Sequence, residues 1–358
     1  MQQPPHASAL ARANERLADA STPLIEDCWY IAGWAEDFSR ELKERTLLGH
    51  SLVFYRDTKG TPVALRNRCP HRSYPLVHGK LEGDVLRCGY HGLAFRADGS
   101  CADIPMQTSI PPTACTRSYP LVEQGPLVWI WTGDPAAANT SRVPDTGWLT
   151  DSSWDFARGY LHLNANYAYL HENLLDLSHF TYLHPSTLGT PEYAKAPFEM
   201  QAEGDTVRIT RFVAECEVPP MYRPTGIEGK MSRRTYSEFS SPALHRAEVE
   251  LRDLQAPASR RAEFHGRITH FVTPETRTST HYWFTFARDF ALRDPAVTAM
   301  FESNARTAFA EDKFALEEAA RMHRLEPEAT RLEIHVKSDA AGGAARRLLK
   351  QMADKQIA

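Results

Sequence analysis

The stretch CPHRSYPLVHGKLEGDVLRCGYH, residues 69–91, carries metal-ligating side chains at both of its ends. Cys69 and His71 stand at one end, and Cys88 and His91 stand at the other. Both pairs fall in turn-like sequence between short apolar runs, so we expect two hairpin tips that each offer one thiolate and one imidazole. This donor set predicts one metal centre shared by the two loops.

Three kinds of site are compatible with these four side chains: an iron–sulfur cluster, a structural zinc ion, or residues that share no metal at all. Zinc sites usually keep the cysteines together and the histidines together, whereas here each loop mixes the two types. A Rieske [2Fe–2S] cluster has two thiolates on one iron and two imidazoles on the other. The mixed loops therefore favour a Rieske cluster over zinc or coincidence.

The length predicts two domains or one large domain, and the composition is that of a globular protein. The 358 residues are 42% hydrophobic and 24% charged, with a net charge of −4, which gives no basic footprint for nucleic acid or an anionic membrane. Six cysteines are too few for a disulfide framework, and the N-terminus lacks the apolar core of a secretory signal, so we expect a cytoplasmic protein. We divide the chain into an N-terminal segment at 1–24, a first domain at 25–140 and a second at 141–358.

The second domain is expected to combine a sheet with helices, which makes the whole an α+β protein. Alternating and β-branched runs predict strands at 205–219, 233–254, 261–274 and 279–288. Helical patterns cover 166–184, 296–323 and the C-terminal tail.

A second metal site is predicted in the helix at 166–184. Asn173, Asp176 and His179 are spaced three apart, which puts them on one helix face. His184 lies five residues after His179, so both imidazoles reach one metal only if the helix unwinds or bulges between them. The alternative is that the two histidines are ordinary residues near a helix end.

Two histidines need a carboxylate to complete the facial triad of a non-haem ferrous site. Asp312 lies in the apolar stripe of the long helix, with Phe301, Ala305, Ala308, Ala315 and Ala319. A carboxylate there is costly unless it is paired or bound to metal. We choose Asp312 over Glu311, which falls on a wetter face. The alternative is an ion pair between Asp312 and Arg306.

The motifs resemble those of the Rieske non-haem iron oxygenases. CPHR and CGYHGL resemble their cluster loops, and ENLLDLSHFTYLH at 172–184 resembles their iron-binding helix. The resemblance implies a small all-β Rieske domain followed by a helix-grip, START-like catalytic domain of antiparallel sheet plus helices. It also implies a [2Fe–2S] cluster, a mononuclear Fe(II) ion and O2 as co-substrate. NAD(P)H would act only through a partner ferredoxin or flavin reductase.

The resemblance further implies catalytic roles for two residues that are not ligands. The family residue that matches Asp176 hydrogen-bonds an iron-ligand histidine, here His179, in its own subunit. It also bonds a cluster histidine across an interface, here His91 of the partner subunit. This implies a homotrimer in which each cluster serves the iron of the neighbouring subunit. Asn173 matches a polar residue beside the iron.

The segments FVTPET at 271–276 and HYWF at 281–284 resemble one branch of this family. That branch includes vanillate O-demethylase, dicamba O-demethylase and toluenesulfonate monooxygenase. The resemblance implies O-demethylation or methyl hydroxylation of a small aromatic acid. Ring dihydroxylation and N-demethylation by the same centre are the alternatives. A Rieske electron carrier is the alternative outside the enzymes, and it leaves His179, His184 and Asp312 without a role.

Candidate substrate residues lie on the strands of the second domain. His270 matches a substrate-contacting histidine of the branch, although a strand histidine with an ordinary packing role explains it equally well. His281 and Tyr282 are weaker candidates, and a strand directs at most one of them inward. Four arginines could bind a carboxylate, but surface ion pairs explain them as well: Arg208, Arg211, Arg252 and Arg267.

Overall fold

The computed structural model describes residues 22–326 and 334–357, which form two compact units. The first unit is Glu26–Thr146, and the second begins at Gly147 and includes residues 22–25. The sequence analysis placed this boundary near residue 140. Most of the N-terminal segment at 1–24 lies outside the described residues.

The first unit is built from short antiparallel strands. In the described residues they form sheets with the orders β1-β10-β9, β2-β3-β4 and β5-β6-β7-β8. The strands are β1 Trp29–Trp34, β2 Lys43–Leu47, β3 His50–Arg56, β4 Pro62–Arg66, β5 Lys80–Glu82, β6 Val85–Arg87, β7 Ala94–Phe95, β8 Cys101–Asp103, β9 Leu121–Gln124 and β10 Leu127–Trp131. Cys69 and Cys88 belong to the same buried cluster as Leu76, Leu86 and Phe95, so the two cysteine–histidine loops rest directly on the core of this unit.

The second unit contains one antiparallel sheet with the order β11-β17-β16-β15-β14-β13-β12. The strands are β11 Asp155–Leu163, β12 Phe198–Glu203, β13 Thr206–Cys216, β14 Met231–Ser241, β15 Leu244–Asp253, β16 Glu263–Thr276 and β17 Ser279–Arg288. Along β14 the side chains at 231, 233, 235 and 237 are buried, and they alternate with more accessible ones at 232, 234 and 236. This alternation directs one face of the sheet into the protein interior.

The described helices of the second unit are α1 Tyr167–Leu175, α2 Phe180–Leu183, α3 Pro295–Leu325 and α4 Ala340–Ile357. Asp294 caps the N-terminus of helix α3, and its carboxylate accepts the backbone N–H groups of Ala296 and Val297. Its buried face includes Asp312, as expected, but continues to Ala320, whereas the predicted Ala319 is exposed. The predicted stripe used a seven-residue repeat, and the face of a straight helix drifts from that spacing. No described helix has the length and apolarity to cross a membrane.

The α+β architecture is confirmed, but two predicted elements are corrected and two strands were missed. The single strand at 233–254 is a hairpin of β14 and β15, in which Ser241 pairs with Leu244. Pro242, in the turn, has no N–H to donate to a continuous strand. Strands β11 and β12 were not predicted. The helix at 166–184 is interrupted after Leu175, and its last turn ends at Leu183, before His184.

Candidate functional site

The two cysteine–histidine loops have matching backbone hydrogen bonds. The N–H of Cys69 donates to the carbonyl five residues later, and the carbonyl of Cys69 accepts the N–H of Ser73, both at 2.9 Å. The Cys88 loop repeats this pattern at 2.8 and 3.1 Å, with Gly92 in the place of Ser73. Both Ser73 and Gly92 have a left-handed backbone, with φ of 58° and 76°. The two loops therefore present their donors in equivalent ways.

The four donors form two pairs, one of thiols and one of imidazoles. Cys69 and Cys88 are buried and close enough for their thiols to hydrogen-bond, while the rings of His71 and His91 meet edge-on with centroids 4.5 Å apart. Burial raises the pKa of Cys69 to about 11, against a backbone hydrogen bond at His71 that lowers it. A thiolate pair beside an imidazole pair fits the asymmetric donor set of a Rieske cluster. The residues thus fit the [2Fe–2S] group.

The second site forms where helix α1 ends, at Asp176. Asp176 has an extended backbone, with φ −124° and ψ 91°, and its carboxylate accepts the N–H of Ser178 at 3.0 Å. A single 3-10 turn then runs through Leu177–His179 and leads into α2. The helix is therefore broken at Asp176, which was not expected, and it also ends before His184, whose backbone (φ −117°, ψ 42°) is not helical next to Pro185. The side chain of Asp176 gives the backbone an alternative to the helical hydrogen bonds at this point.

Three donors converge where this turn meets α3. The ligating atoms of His179, His184 and Asp312 all lie within 4.8 Å of one another. Oδ1 of Asp312 lies 3.5 Å from Nε2 of His179 and 3.2 Å from Nε2 of His184. The side-chain amide of Asn173 donates to the same oxygen at 3.0 Å. The geometry therefore brings together the three residues predicted to be a facial triad.

The opposite nitrogen of each imidazole is already engaged. Nδ1 of His179 lies 2.6 Å from the backbone carbonyl of Asp176, and Nδ1 of His184 lies 2.7 Å from Oε2 of Glu311. These acceptors favour a proton on Nδ1, so Nε2 is the atom with which each ring would bind a metal, and Nε2 of His184 contacts Asp312 in the structure. Nε2 of His179 is buried without a hydrogen-bond partner. A divalent cation would satisfy this orphaned nitrogen, so the residues fit a mononuclear metal.

Burial and the contacts among the three donors shift their pKa values. Burial lowers the pKa of His179. Burial also acts to lower the pKa of His184, but hydrogen bonds to Asp312 and Glu311 outweigh it and raise that pKa. Burial acts to raise the pKa of Asp312, yet the hydrogen bond from His184 and the charge of His179 leave it lowered. A carboxylate that stays ionised next to two imidazoles suits a metal cation, which competes with the protons for these sites.

The neighbours of the triad differ in part from what was expected. Asp176 does contact His179 inside the subunit, through its backbone carbonyl, while its carboxylate accepts the N–H of Ser178. Glu311, which the sequence analysis set aside, contacts His184 directly. The position of Glu311 directly before Asp312 in the chain was the feature of the sequence that could have indicated this contact. The alternative ion pair of Asp312 with Arg306 is wrong, since Arg306 pairs with Glu302 on the exposed face of α3.

A largely apolar cavity adjoins the three donors. Besides His179, His184 and Asp312 it is lined by Leu174, Leu177, Phe180, Leu188, Tyr222, Arg233, Thr235, Ser237, Ala247, Val249, Ile268, His270, Phe286 and Phe309. Arg233 is the functional candidate that the sequence analysis missed, and its inward position in the alternating pattern of β14 was the available signal.

The candidate substrate residues separate into two groups. His270 lines the cavity and is 2% exposed, and its Nδ1 lies 2.6 Å from the hydroxyl of Tyr282. Tyr282 is buried behind it and does not line the cavity itself. His281 faces the other side of the strand, where the hydroxyl of Tyr160 meets its Nδ1 at 2.8 Å. His281 is therefore corrected to a residue outside the cavity.

Two families match this chain. Residues 28–120 match the Rieske [2Fe-2S] domain, and residues 163–355 match the vanillate O-demethylase oxygenase C-terminal domain. The iron-sulfur subunit of the toluene-4-sulfonate monooxygenase system of Comamonas testosteroni is 42% identical over 82% of this chain and 87% of its own. The vanillate O-demethylase oxygenase subunit of a Pseudomonas species is 32% identical over 86% and 95%.

Solved structures give the same similarity. The crystal structure of dicamba monooxygenase bound to 3,6-dichlorosalicylic acid superposes with a TM-score of 0.86 and 28% identity, covering 94% of this chain and 99% of that one. A structure of dicamba monooxygenase with non-haem iron and dicamba has a TM-score of 0.80, 27% identity and coverage of 93% and 98%. The two-part fold thus has a counterpart in a monooxygenase whose structure contains non-haem iron.

Proposed function

This chain belongs to the Rieske non-haem iron oxygenases whose catalytic half is the vanillate O-demethylase oxygenase C-terminal domain, and on that basis we propose that it O-demethylates or methyl-hydroxylates a small aromatic acid. It is an oxygenase component that works with reductase partners, as its relatives are named parts of multi-component systems. The observation that carries the proposal is the triad of His179, His184 and Asp312 at the wall of an apolar cavity.

The geometry supports two sets of residues as the proposed holders of the two metal groups. Cys69, Cys88, His71 and His91 would hold the [2Fe–2S] cluster, which supplies single electrons when bound. The triad would hold a ferrous ion, which keeps coordination positions open for O2. Relatives named for toluene-4-sulfonate, vanillate and dicamba suggest the substrate class.

The protein's own contribution is to orient the ligands and exclude water. Glu311 and the Asp176 carbonyl favour a proton on Nδ1 of each histidine, and Asn173 holds the proposed ligand oxygen of Asp312 in place. The apolar side chains of Leu174, Phe180 and others on the cavity wall would surround an aromatic ring and keep bulk water away from it. When a methoxy carbon is hydroxylated, the hemiacetal product collapses to formaldehyde and a phenol.

We also propose a homotrimer, in which Asp176 meets His91 of the partner subunit. The Asp176 side chain is half-buried, and the neighbouring Tyr90 is 59% exposed at the tip of its loop. Asp176 and the loop tip that carries His91 are therefore both accessible to a neighbouring subunit.

The test is a product screen. The iron-loaded protein, a ferredoxin and reductase pair, NADH and O2 are incubated with methoxylated, methylated and unsubstituted aromatic acids. We expect formaldehyde from the methoxylated acids and hydroxymethyl products from the methylated ones. A dihydrodiol from the unsubstituted acids would favour ring dihydroxylation instead. Reduction of the cluster with no product from any compound would favour the electron carrier.

Replacing Glu311 tests the support of His184. Glu311→Ala removes the acceptor of the Nδ1 proton, and loss of such a partner typically costs about 10- to 100-fold in metal affinity or activity. We expect iron affinity and turnover to fall by that factor, while Glu311→Gln, which keeps an acceptor oxygen, loses less. Chelator competition measures the affinity. Glu318→Gln, on the exposed face of the same helix, is the control. Unchanged iron affinity in Glu311→Ala would contradict this role.

A further inference from the structure

Arg233 is a buried cation without an anionic partner. Its side chain is 1% exposed, and no carboxylate in the described part of the chain forms an ion pair with it. One amino group donates to the Leu188 carbonyl at 2.8 Å, another reaches the Tyr222 hydroxyl only at 3.5 Å, and Nε is buried without an acceptor. A buried charge in this state is costly, so an anion at this position is stabilised.

The guanidinium is fixed in place by aromatic rings. Its central carbon lies 4.6 Å from the ring centroid of Tyr193, 5.2 Å from that of Tyr222 and 5.5 Å from that of Phe180. These cation–π contacts and the bond to Leu188 hold the side chain in one orientation. A pre-organised guanidinium presents parallel N–H groups that match the oxygens of a planar or tetrahedral acid group.

The position of Arg233 relative to the triad suits an aromatic acid. Phe180 contacts both: its ring centroid is 5.5 Å from the guanidinium carbon, 5.0 Å from the His179 ring and 5.6 Å from the His184 ring. Because they share this neighbour and line the same cavity, the cation and the metal ligands lie close together at its wall. A benzene ring that carries an acid group at one end and a methyl or methoxy group at the other would have a partner for each end there.

We propose that Arg233 binds the acid group of the substrate, a carboxylate or a sulfonate, and so places the far end of the ring at the triad. This rests on the proposed function and narrows its substrate class to arenes with an anionic group opposite the reacting carbon. Thr235 and Ser237 follow Arg233 on the same inward face of β14 and also line the cavity.

Binding measurements on the iron-loaded protein test this without turnover. The probes are toluene-4-sulfonate and 4-methylbenzoate, each compared with its neutral amide, by isothermal titration. We expect each acid that fits to bind wild type at least about tenfold tighter than its amide, since hydrogen bonds to charged groups contribute that much. The acid with the larger preference identifies the substrate class. Equal binding of acid and amide by wild type would overturn the proposal, and this result needs no variant.

Variants then assign the preference to Arg233. Arg233→Met should weaken acid binding about 10- to 100-fold and change amide binding little. Arg233→Lys should retain part of the preference. Arg211→Met is the matched control, because Arg211 is 2% exposed and bonds only to backbone carbonyls in the described structure, but lies outside the cavity. Retention of the acid preference in Arg233→Met, or its loss in Arg211→Met, would overturn the proposal.

The result is separable from the product screen. Acids that bind through Arg233 but are never oxygenated would refute the proposed function and support this inference. Equal oxygenation of acids and amides, with Arg233→Met unchanged on both, would refute this inference and support the oxygenation itself.

Discussion

Asp312→Ala is expected to abolish oxygenation and leave the cluster intact. The substitution removes the one carboxylate from the three donors that converge within 4.8 Å, and a ferrous site of this kind needs that carboxylate beside the two imidazoles. Metal analysis should show iron falling from about three to about two per chain, since the [2Fe–2S] irons remain. The visible absorbance of the cluster should persist, while product formation falls to background.

Two comparisons make the Asp312 result interpretable. Glu302→Ala changes an exposed carboxylate of the same helix, paired with Arg306, and should keep both iron content and turnover. The persistent cluster absorbance in Asp312→Ala reports that the first unit is still folded. Wild-type turnover and unchanged iron in Asp312→Ala would show that this aspartate is not a ligand.

Cys88→Ser is expected to give a colourless, inactive protein. Cys88 contributes one of the two buried sulfurs, and a serine hydroxyl does not replace a thiolate as a ligand of this kind of cluster. Iron should fall by about two per chain, while the mononuclear site at the triad keeps its ion. Turnover with the reductase should cease, because no centre remains to accept its electrons. Absorption spectroscopy and metal analysis measure both effects.

Cys101→Ser is the matched control for the cluster. Cys101 is also buried in the core of the first unit, but its thiol donates to the carbonyl of Asp103 at 3.4 Å, away from the four donors. It should keep its colour and activity. Retained cluster absorbance in Cys88→Ser, or zinc in place of iron in the wild-type protein, would contradict the assignment of a Rieske cluster.

Some of the site could be predicted from the sequence because its ligands stand close together in the chain. Cys69, His71, Cys88 and His91 sit on two short turns, and His179 and His184 are five residues apart. Asp312 is distant in sequence, but it occupies a position at which the helical periodicity predicts an apolar residue, and a carboxylate there needs a partner. Local spacing and helical periodicity therefore carried these predictions.

Other parts required the fold, because they depend on contacts between distant elements. Glu311 meets His184 only because α3 packs beside the turn after α1, and the aromatic cage of Arg233 draws its rings from three separate segments. The additional break in the helix at Asp176 was not predicted, because the spacing of the histidines does not reveal the cap that the Asp176 side chain makes.

The sequence by itself determined the two-part organisation, the α+β class and the donor types that favour iron and sulfur, since these are encoded in local patterns. Only the tertiary structure decided which side chains face the cavity. His270 faces inward and His281 outward, and Arg233 lies in the wall while Arg211 does not. A strand's alternation puts its residues on two faces, but the packing of the sheet against the helices decides which of those faces is the inner one.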